Sequence, residues 1–413
     1  MRDNDQLFSF SATVMSQLPS IRLKKNEERR LRGGHLWIFS NEVDIAATPL
    51  KAFGAGDLAV VESFRGQVLG IAYVNPASLI CARLFTRDLH AEIDRAFFEQ
   101  RLKRALRLRE RVFDKPFYRL VYGESDGMPG AVVDRFGDVF VVQANTAGME
   151  KLQEPLVAAI EALFSPSAVV LKNTSSLRAL EGLETYTRTA KGALEKPVEI
   201  EENGARFLVD PVGGQKTGWF FDHRESRAML AKLSRGRRVL DLFSYTAAWG
   251  VQAALAGAET VDCVDGSETA LALAAENGRL NGVAEKMRFV KDDVFEFLKR
   301  AREERQRYDV IVLDPPALIK RKKDVGQGVE AYRRLNQGAI QVLAPGGILV
   351  SASCSFHLQR DVLHDLLRTT ARSLDRHLVF FGREGQAPDH PVHPAIPETD
   401  YLKTFFCYIT EGL

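Results

Sequence analysis

Between Arg237 and Ser355, five short apolar runs alternate with four stretches of helical periodicity. The runs are "RRVLDLF", "TVDCVDG", "MRFVKDD", "YDVIVLDPP" and "GGILVSASCS", and between them lie "AAWGVQAALAGA", "ETALALAAENGRLNG", "VFEFLKRAREE" and "AYRRLNQGAIQVL". Strands that alternate with helices of this length cannot close as hairpins, so they predict a doubly wound α/β domain around a parallel sheet. Such sheets bind ligands beyond the carboxyl ends of their strands. Asp241, Asp265, Asp293, Asp314 and Cys354 all fall there.

The chemistry at those ends narrows the ligand. A dinucleotide needs G-x-G-x-x-G after the first strand, because pyrophosphate requires close backbone approach and a helix N-terminus. The chain has "DLFSYTAAWG", with a single glycine, which argues against NAD and FAD. Asp265 follows Asp241 by 24 residues, the offset at which a carboxylate accepts from ribose hydroxyls. Asp293 is placed to accept from an adenine amino group. A ligand with ribose, adenine and a sulfonium cation but no phosphate fits this set, and S-adenosylmethionine is such a ligand. Any one of these aspartates could instead cap the helix that follows it.

The "DPP" of Asp314, Pro315 and Pro316 ends the fourth strand rigidly, and leaves a carboxylate able to face the amino and ring-nitrogen groups of a nucleobase. Cys354 in "SASCS" acquires a role if that base is a pyrimidine methylated at carbon 5. A thiolate adding to carbon 6 turns carbon 5 into a nucleophile, and loss of the carbon-5 proton then expels the thiol. The alternative is a cysteine that fills a tight sheet end.

Upstream, "IRLKKNEERRLRGGHLWIFSNEV", "GDLAVVESFRGQVLGIAYVN" and "LICARLFTR" read as strands of a small β-rich module over residues 20–100. "IDRAFFEQRLKRALRLRERVF" follows as an amphipathic helix with a solvated basic face. A compact α+β segment is expected over 101–192, and "KPVEIEENGARFLVD" is expected to form a hairpin opening the third domain, 193–413. Residues 1–19 have the look of a loose N-terminal extension. Residues 1–111 carry 18 Lys and Arg against 13 Asp and Glu, a surplus of five, whereas the whole chain is only +2. This asymmetry suggests an anionic partner for the front of the chain.

Four scattered cysteines, with no C-x-x-C pair, argue against disulfides or a structural zinc. "HPVH" (His390, His393) is flanked by proline and lacks a third ligand, so no metal is expected. His223 in "FFDHR" reads as a packing or pocket residue. No apolar stretch is long enough for a membrane span, and no signal peptide is evident, so a cytoplasmic protein is expected.

With these residues identified, the sequence resembles the bacterial ribosomal RNA large-subunit methyltransferases that make 5-methylcytosine, which join an N-terminal PUA domain to a Rossmann-like class I methyltransferase domain. The resemblance runs from about residue 20 to the end, through "RGGHLWIFSNEV", "GESDGMPGAVVDRFGD", "GGQKTGWFFDHRESR", "VLDLFSYTAAWG", "CVDGS", "NGRLNG", "VIVLDPPAL", "SASCS" and "DHPVHPAIPETDYLK". It implies that Gln215, Thr217, Gly218, Phe220 and Asp222 line the cofactor or substrate pocket. Asp241, Phe243, Ser244, Tyr245, Asp265, Ser267, Asp292, Asp293, Asp314, Pro315 and Pro316 would hold S-adenosylmethionine, and Cys354 and Asp314 would be catalytic. The RNA contacts expected are Lys24, Lys25, Arg29, Arg30 and Arg32 in the PUA module, with Lys320, Arg321, Lys322 and Lys323 near the methyltransferase site. Expected partners are ribosomal RNA and a second copy of the chain, with no membrane. Two positions depart from the family pattern. Ala247 and Ala248 stand where relatives often carry glycine, and Ala317 follows DPP where another branch of RNA 5-methylcytosine enzymes has a cysteine that aids release. A guanine N-methyltransferase on this fold, which needs no nucleophile, and an RNA-binding assembly factor without turnover are the competing readings.

Overall fold

The computed structural model describes residues 18–412. The expected N-terminal extension therefore lies almost wholly outside the described residues. The chain divides into two compact units. One comprises the residues up to Val198 together with Asp210–Trp219 and Pro388–Thr399. The other comprises Glu199–Val209, Phe220–Ala387 and Asp400–Leu413.

The first unit holds two five-stranded sheets. β1 (Ser20–Arg22), β2 (Trp37–Phe39), β3 (Asp57–Glu62), β4 (Val68–Val74) and β5 (Ile80–Thr86) are ordered β1-β3-β4-β5-β2. Their apolar residues, among them Ile21, Ile38, Val61, Ala72 and Leu84, form one core. β6 (Phe117–Tyr122), β7 (Ala131–Phe136), β8 (Val139–Ala144), β9 (Ala168–Asn173) and β10 (Tyr186–Lys191) run in sequence order across the second sheet. Helices α1 (Arg95–Val112) and α2 (Gln153–Phe164) supply Phe98, Leu102, Leu156 and Ile160 to its core. That core also takes in Tyr73 and Phe85 from the first sheet. The buried Glu181 ties the same two sheets together, accepting from Asn75 Nδ2 (2.8 Å), Ser78 Oγ (3.2 Å) and Arg83 Nη1 (2.9 Å). A fully satisfied buried network of this kind fixes the geometry of the elements it joins.

The reading of α1 needs one correction. Its arginines are not all solvated, because Arg109 is fully buried. It pairs with Asp126 through two bonds (2.6 and 2.8 Å) and donates to the carbonyl oxygens of Arg119 and Asp389 (both 2.9 Å). The apolar Leu108 and Val112 of the same helix are 40% and 44% exposed.

The second unit opens with the hairpin of β11 (Val198–Glu202) and β12 (Ala205–Val209) and the helix α3 (Arg224–Leu233). Its main sheet alternates as expected: β13 (Arg238–Leu242), α4 (Ala248–Leu255), β14 (Thr260–Asp265), α5 (Glu268–Leu280), β15 (Met287–Lys291), α6 (Val294–Glu303), β16 (Tyr308–Leu313), α7 (Val325–Val342) and β17 (Leu343–Ser353). Helix α8 (Arg360–Ser373) and strands β18 (Arg376–Glu384) and β19 (Lys403–Glu411) complete it. The seven strands are ordered β15-β14-β13-β16-β17-β19-β18, and β19 is antiparallel to both of its neighbours, β17 and β18. The order therefore reverses between β13 and β16, and a crevice at their carboxyl ends is the place where such sheets take a ligand. α7 starts at Val325, earlier than the sequence pattern suggested, and β17 stops at Ser353, so Cys354 is the first residue beyond the sheet.

Candidate active site and family

The loop after β13 is locally strained. Phe243, Tyr245 and Ala247 all have left-handed backbone, with φ of 60°, 48° and 60°. Non-glycine residues rarely hold this conformation, and it costs about 1–3 kcal/mol at each position. Glycine adopts positive φ at no steric cost, whereas Ala247 holds it with a Cβ present. Neighbouring hydrogen bonds hold the loop in shape. Asp265 Oδ2 accepts from Tyr245 N (2.9 Å), Asp265 Oδ1 accepts from Ser267 N (2.8 Å), and Ser267 Oγ caps α5 at Ala270 N (3.2 Å). The Phe220 ring meets Tyr245 edge-on at 5.6 Å.

Asp241 is fully buried, and its Oδ2 accepts from Gly250 N (3.0 Å). Its carboxyl is held well above the ordinary range, first by burial and then by the negative charges of Asp314 and Asp265, against the opposing bond from Gly250. Three carboxyls thus crowd the ends of β13, β14 and β16. Asp241 Oδ1, Ser244 Oγ, Thr246 Oγ1 and His223 Nδ1 are buried and have no hydrogen-bond partner among the described residues. Unmet buried polar atoms are costly in a finished structure, and here they cluster where a polar ligand would satisfy them. The negative potential suits a cationic ligand and opposes a pyrophosphate.

Asp314, one residue past β16, is bound on both oxygens. His223 Nε2 lies 3.2 Å from Oδ1, and Trp249 Nε1 donates to Oδ2 (3.1 Å). Burial pushes the Asp314 pKa up, but His223 and Trp249 together bring it below the usual value. His223 is raised in turn, since Asp314 outweighs the effect of burial. Asp222 is buried and accepts a hydrogen bond from the Tyr401 hydroxyl.

A ring of hydroxyls fixes the loop around Cys354. Ser353 Oγ donates to Tyr332 Oη (2.9 Å), which lies 3.0 Å from Ser355 Oγ, and Ser355 Oγ accepts from Ile319 N (3.2 Å). Ser355 N closes the ring on Ser353 Oγ (3.2 Å). Cys354 is half-buried, whereas Cys81, Cys263 and Cys407 are buried, with their thiol pKa values raised by desolvation.

The remaining sequence-derived positions differ in burial and in partners. Asp292 pairs with Arg300 (2.6 Å). Asp293 is exposed and caps α6, its Oδ1 accepting from Phe295 N (2.9 Å) and Glu296 N (3.2 Å), so the helix-cap reading holds for that aspartate. Pro315 is buried and Pro316 exposed. Gln215, Thr217 and Gly218 belong to the first unit, where Gly218 has φ of 110° and Thr217 is fully buried, while Phe220 and Asp222 belong to the second. Lys24, Lys25, Arg29, Arg30 and Arg32 are exposed in the first unit, and Arg30 pairs with Glu42 (2.5 Å). Lys320, Arg321, Lys322 and Lys323 are exposed just before α7, where Arg321 pairs with Asp324 (2.8 Å). His390 is buried and bonded to Asp389 (2.8 Å), and no group of three metal-ligating side chains occurs among the described residues. The sequence reading missed Trp249, Tyr332 and Lys403.

Comparison with known proteins agrees with this geometry. Residues 187–403 match the family described as S-adenosylmethionine-dependent methyltransferase, and residues 21–87 match a PUA-like domain. The chain belongs to the S-adenosylmethionine-dependent methyltransferases that carry a PUA-like domain. Within that class it is 37% identical over 399 residues to Ribosomal RNA large subunit methyltransferase I of Klebsiella pneumoniae (strain 342), covering 95% of this chain and 99% of that one. It is 38% identical over 392 residues to the protein of the same name from Cronobacter sakazakii (strain ATCC BAA-894), covering 94% and 98%. Its fold matches the crystal structure of SMU.776 complexed with SAH, at a TM-score of 0.81 and 21% identity over 95% of this chain and all of that one.

The cofactor is S-adenosylmethionine, and the residues present fit it. Asp265 retains acceptor capacity for ribose hydroxyls beside its two backbone bonds. The acidic strand ends and the unmet Asp241 Oδ1, Ser244 Oγ and Thr246 Oγ1 suit its charged and polar groups. Among the described residues no helix is long and apolar enough to cross a membrane.

Proposed function

We propose that this enzyme methylates carbon 5 of a cytosine in large-subunit ribosomal RNA through a covalent bond from Cys354 to carbon 6. The observation that carries the reading is the placement of Cys354. It is the half-buried thiol of the four, immediately past β17, and β17 pairs in register with β16, whose end bears Asp314. The names of the curated relatives supply the substrate class.

S-adenosylmethionine supplies, when bound, an electrophilic methyl group. Carbon 5 of cytosine is too weak a nucleophile to take it unaided. Attack of the Cys354 thiolate on carbon 6 moves the ring electron pair to carbon 5, which becomes nucleophilic. After methylation a base removes the carbon-5 proton, and the electron pair of that C–H bond restores the double bond as the Cys354 sulfur leaves. Asp314, held rigidly by His223 and Trp249, accepts from the amino edge of the base, while the hydroxyl ring keeps the cysteine loop in place. Asp241, Phe243, Ser244, Tyr245, Asp265 and Ser267 hold the cofactor, with Asp293 offering an exposed carboxylate further along the sheet. Lys24, Lys25, Arg29 and Arg32 contact phosphates, which orient the RNA without reading its sequence. The reaction is cytoplasmic in this reading, and the expected homodimer is open to light scattering.

The test is to incubate the protein with large-subunit rRNA lacking its modifications and with methyl-labelled cofactor, then identify the labelled nucleoside by mass spectrometry. Labelled 5-methylcytidine is expected. Label on guanosine would overturn the proposal in favour of N-methylation.

A further inference from the structure

We propose that Lys403 is a positioning residue that holds Cys354 in its thiolate form. The proposal rests on the reading of Cys354 as nucleophile. Lys403 begins β19 and sits opposite Ser353 in the antiparallel pairing with β17, so its side chain shares a face with the residue just before the thiol. It is 6% exposed, and its ammonium donates to the Ser355 carbonyl oxygen at 2.7 Å. The cation is therefore tethered to the backbone on the far side of Cys354 and forms no ion pair with a carboxylate among the described residues.

A buried lysine is expensive unless something nearby favours its charge. Burial is the largest effect on Lys403, drawing it down to about 8, and the leading opposing effect is the negative charge of Cys354. That attraction is mutual: a cation that is stabilised by a thiolate also lowers the pKa of the thiol. Four groups act on this corner. They are Lys403 itself, Arg360 from α8, Asp400 from the turn before β19, and Tyr332 from α7. Arg360 donates to the carbonyl oxygens of Glu384 and Leu402 (3.3 and 3.2 Å), and burial pushes Tyr332 up to about 12, so the tyrosine stays neutral near pH 7. Arg360 and Asp400 oppose each other. Lys403 is thus the cation anchored on the cysteine loop. It is still mostly protonated at neutral pH, where a thiol of ordinary pKa, about 8.5, would be mostly un-ionised.

The experiment measures the rate of Cys354 alkylation by iodoacetamide between pH 5.5 and 10, in the full-length wild type, Lys403→Met and Lys403→Arg. The modified peptide is identified by mass spectrometry, and the burial of the other three cysteines keeps the readout specific. In Lys403→Met the midpoint should rise by about one pH unit, roughly a tenfold loss of thiolate below it, and Lys403→Arg should restore most of the shift. Cofactor binding by each variant reports on folding. In the methylation assay the Lys403→Met defect should lie in kcat and shrink as pH rises, whereas a structural defect would persist at every pH. Coincident alkylation profiles in all three proteins would overturn the proposal. This readout needs no RNA, so a failure of Cys354 as nucleophile would appear separately, as methylation that survives Cys354→Ala.

Discussion

Replacing Asp314 with asparagine tests the buried pair at the end of β16 with almost no change of shape. At 3.2 Å from His223 Nε2, the gross attraction at an effective dielectric of 20 is about 5 kcal/mol. Breaking a buried pair usually costs about 3–5 kcal/mol. Asparagine can still accept from Trp249 through its one amide oxygen and donate its amide N–H to the unprotonated Nε2 of a neutral His223, and Asp314 keeps a fifth of its side-chain surface exposed, so about 2 kcal/mol is the expected loss near pH 6. The pH dependence has a defined sign. His223 is raised above 6.5, so its contribution is fully present below that value and is lost as pH climbs through the folded value. Asp314 is lowered below 3.8, so its contribution is present above that value and is lost as pH falls through the folded value. The wild-type pair therefore stabilises most between about pH 4 and 6.5. In the variant, burial dominates at His223 and its pKa should fall. Urea unfolding of both proteins at pH 5.5, 7 and 9, read by tryptophan fluorescence, should show a difference that is largest at pH 5.5 and smallest at pH 9. A difference that is flat with pH, or below about 0.5 kcal/mol throughout, would refute the pairing.

Gly250→Ala places a methyl 2.7 Å from Cys263 Sγ and 3.2 Å from both Asp241 Oδ2 and Val261 Cγ1, so α4 must lift from the sheet. Overpacking of about 1–3 kcal/mol should outweigh the gain of about 1 kcal/mol in helix propensity, and calorimetry should also show weaker cofactor binding because Asp241 is displaced. Arg109→Met leaves Asp126 buried without its bidentate partner. It should destabilise the first unit by about 3–5 kcal/mol in denaturant titrations while leaving cofactor affinity unchanged.

The alternation of the methyltransferase sheet was legible because buried parallel strands and their crossover helices write two distinct periods into the chain. The cofactor class was legible too, since Asp241, Asp265 and Asp314 sit at strand ends that the alternation itself locates. Partners brought together by tertiary contact were not. Tyr332 on α7 and Lys403 on β19 flank the cysteine loop from 21 residues before it and 48 residues after its Ser355, with no local pattern to link them. Arg109 looked like its solvated neighbours on α1, because its partner Asp126 comes from a turn rather than from the helix. Asp293 is a strand-end carboxylate whose Oδ1 caps α6, the local alternative that the sequence also offered for these aspartates.

The central claim is that Cys354 forms a bond to the target cytosine, and 5-fluorocytidine tests it directly. Fluorine at carbon 5 cannot leave as a cation, so methylation of the adduct blocks the step that expels the thiol. Large-subunit rRNA transcribed with 5-fluorocytidine, mixed with protein and S-adenosylmethionine, should give a protein–RNA species that survives denaturing electrophoresis and yields a Cys354-linked nucleotide on digestion. Cys354→Ala should give none. A wild type that methylates ordinary RNA but traps no adduct, or a Cys354→Ala protein that traps as well as wild type, would contradict the account.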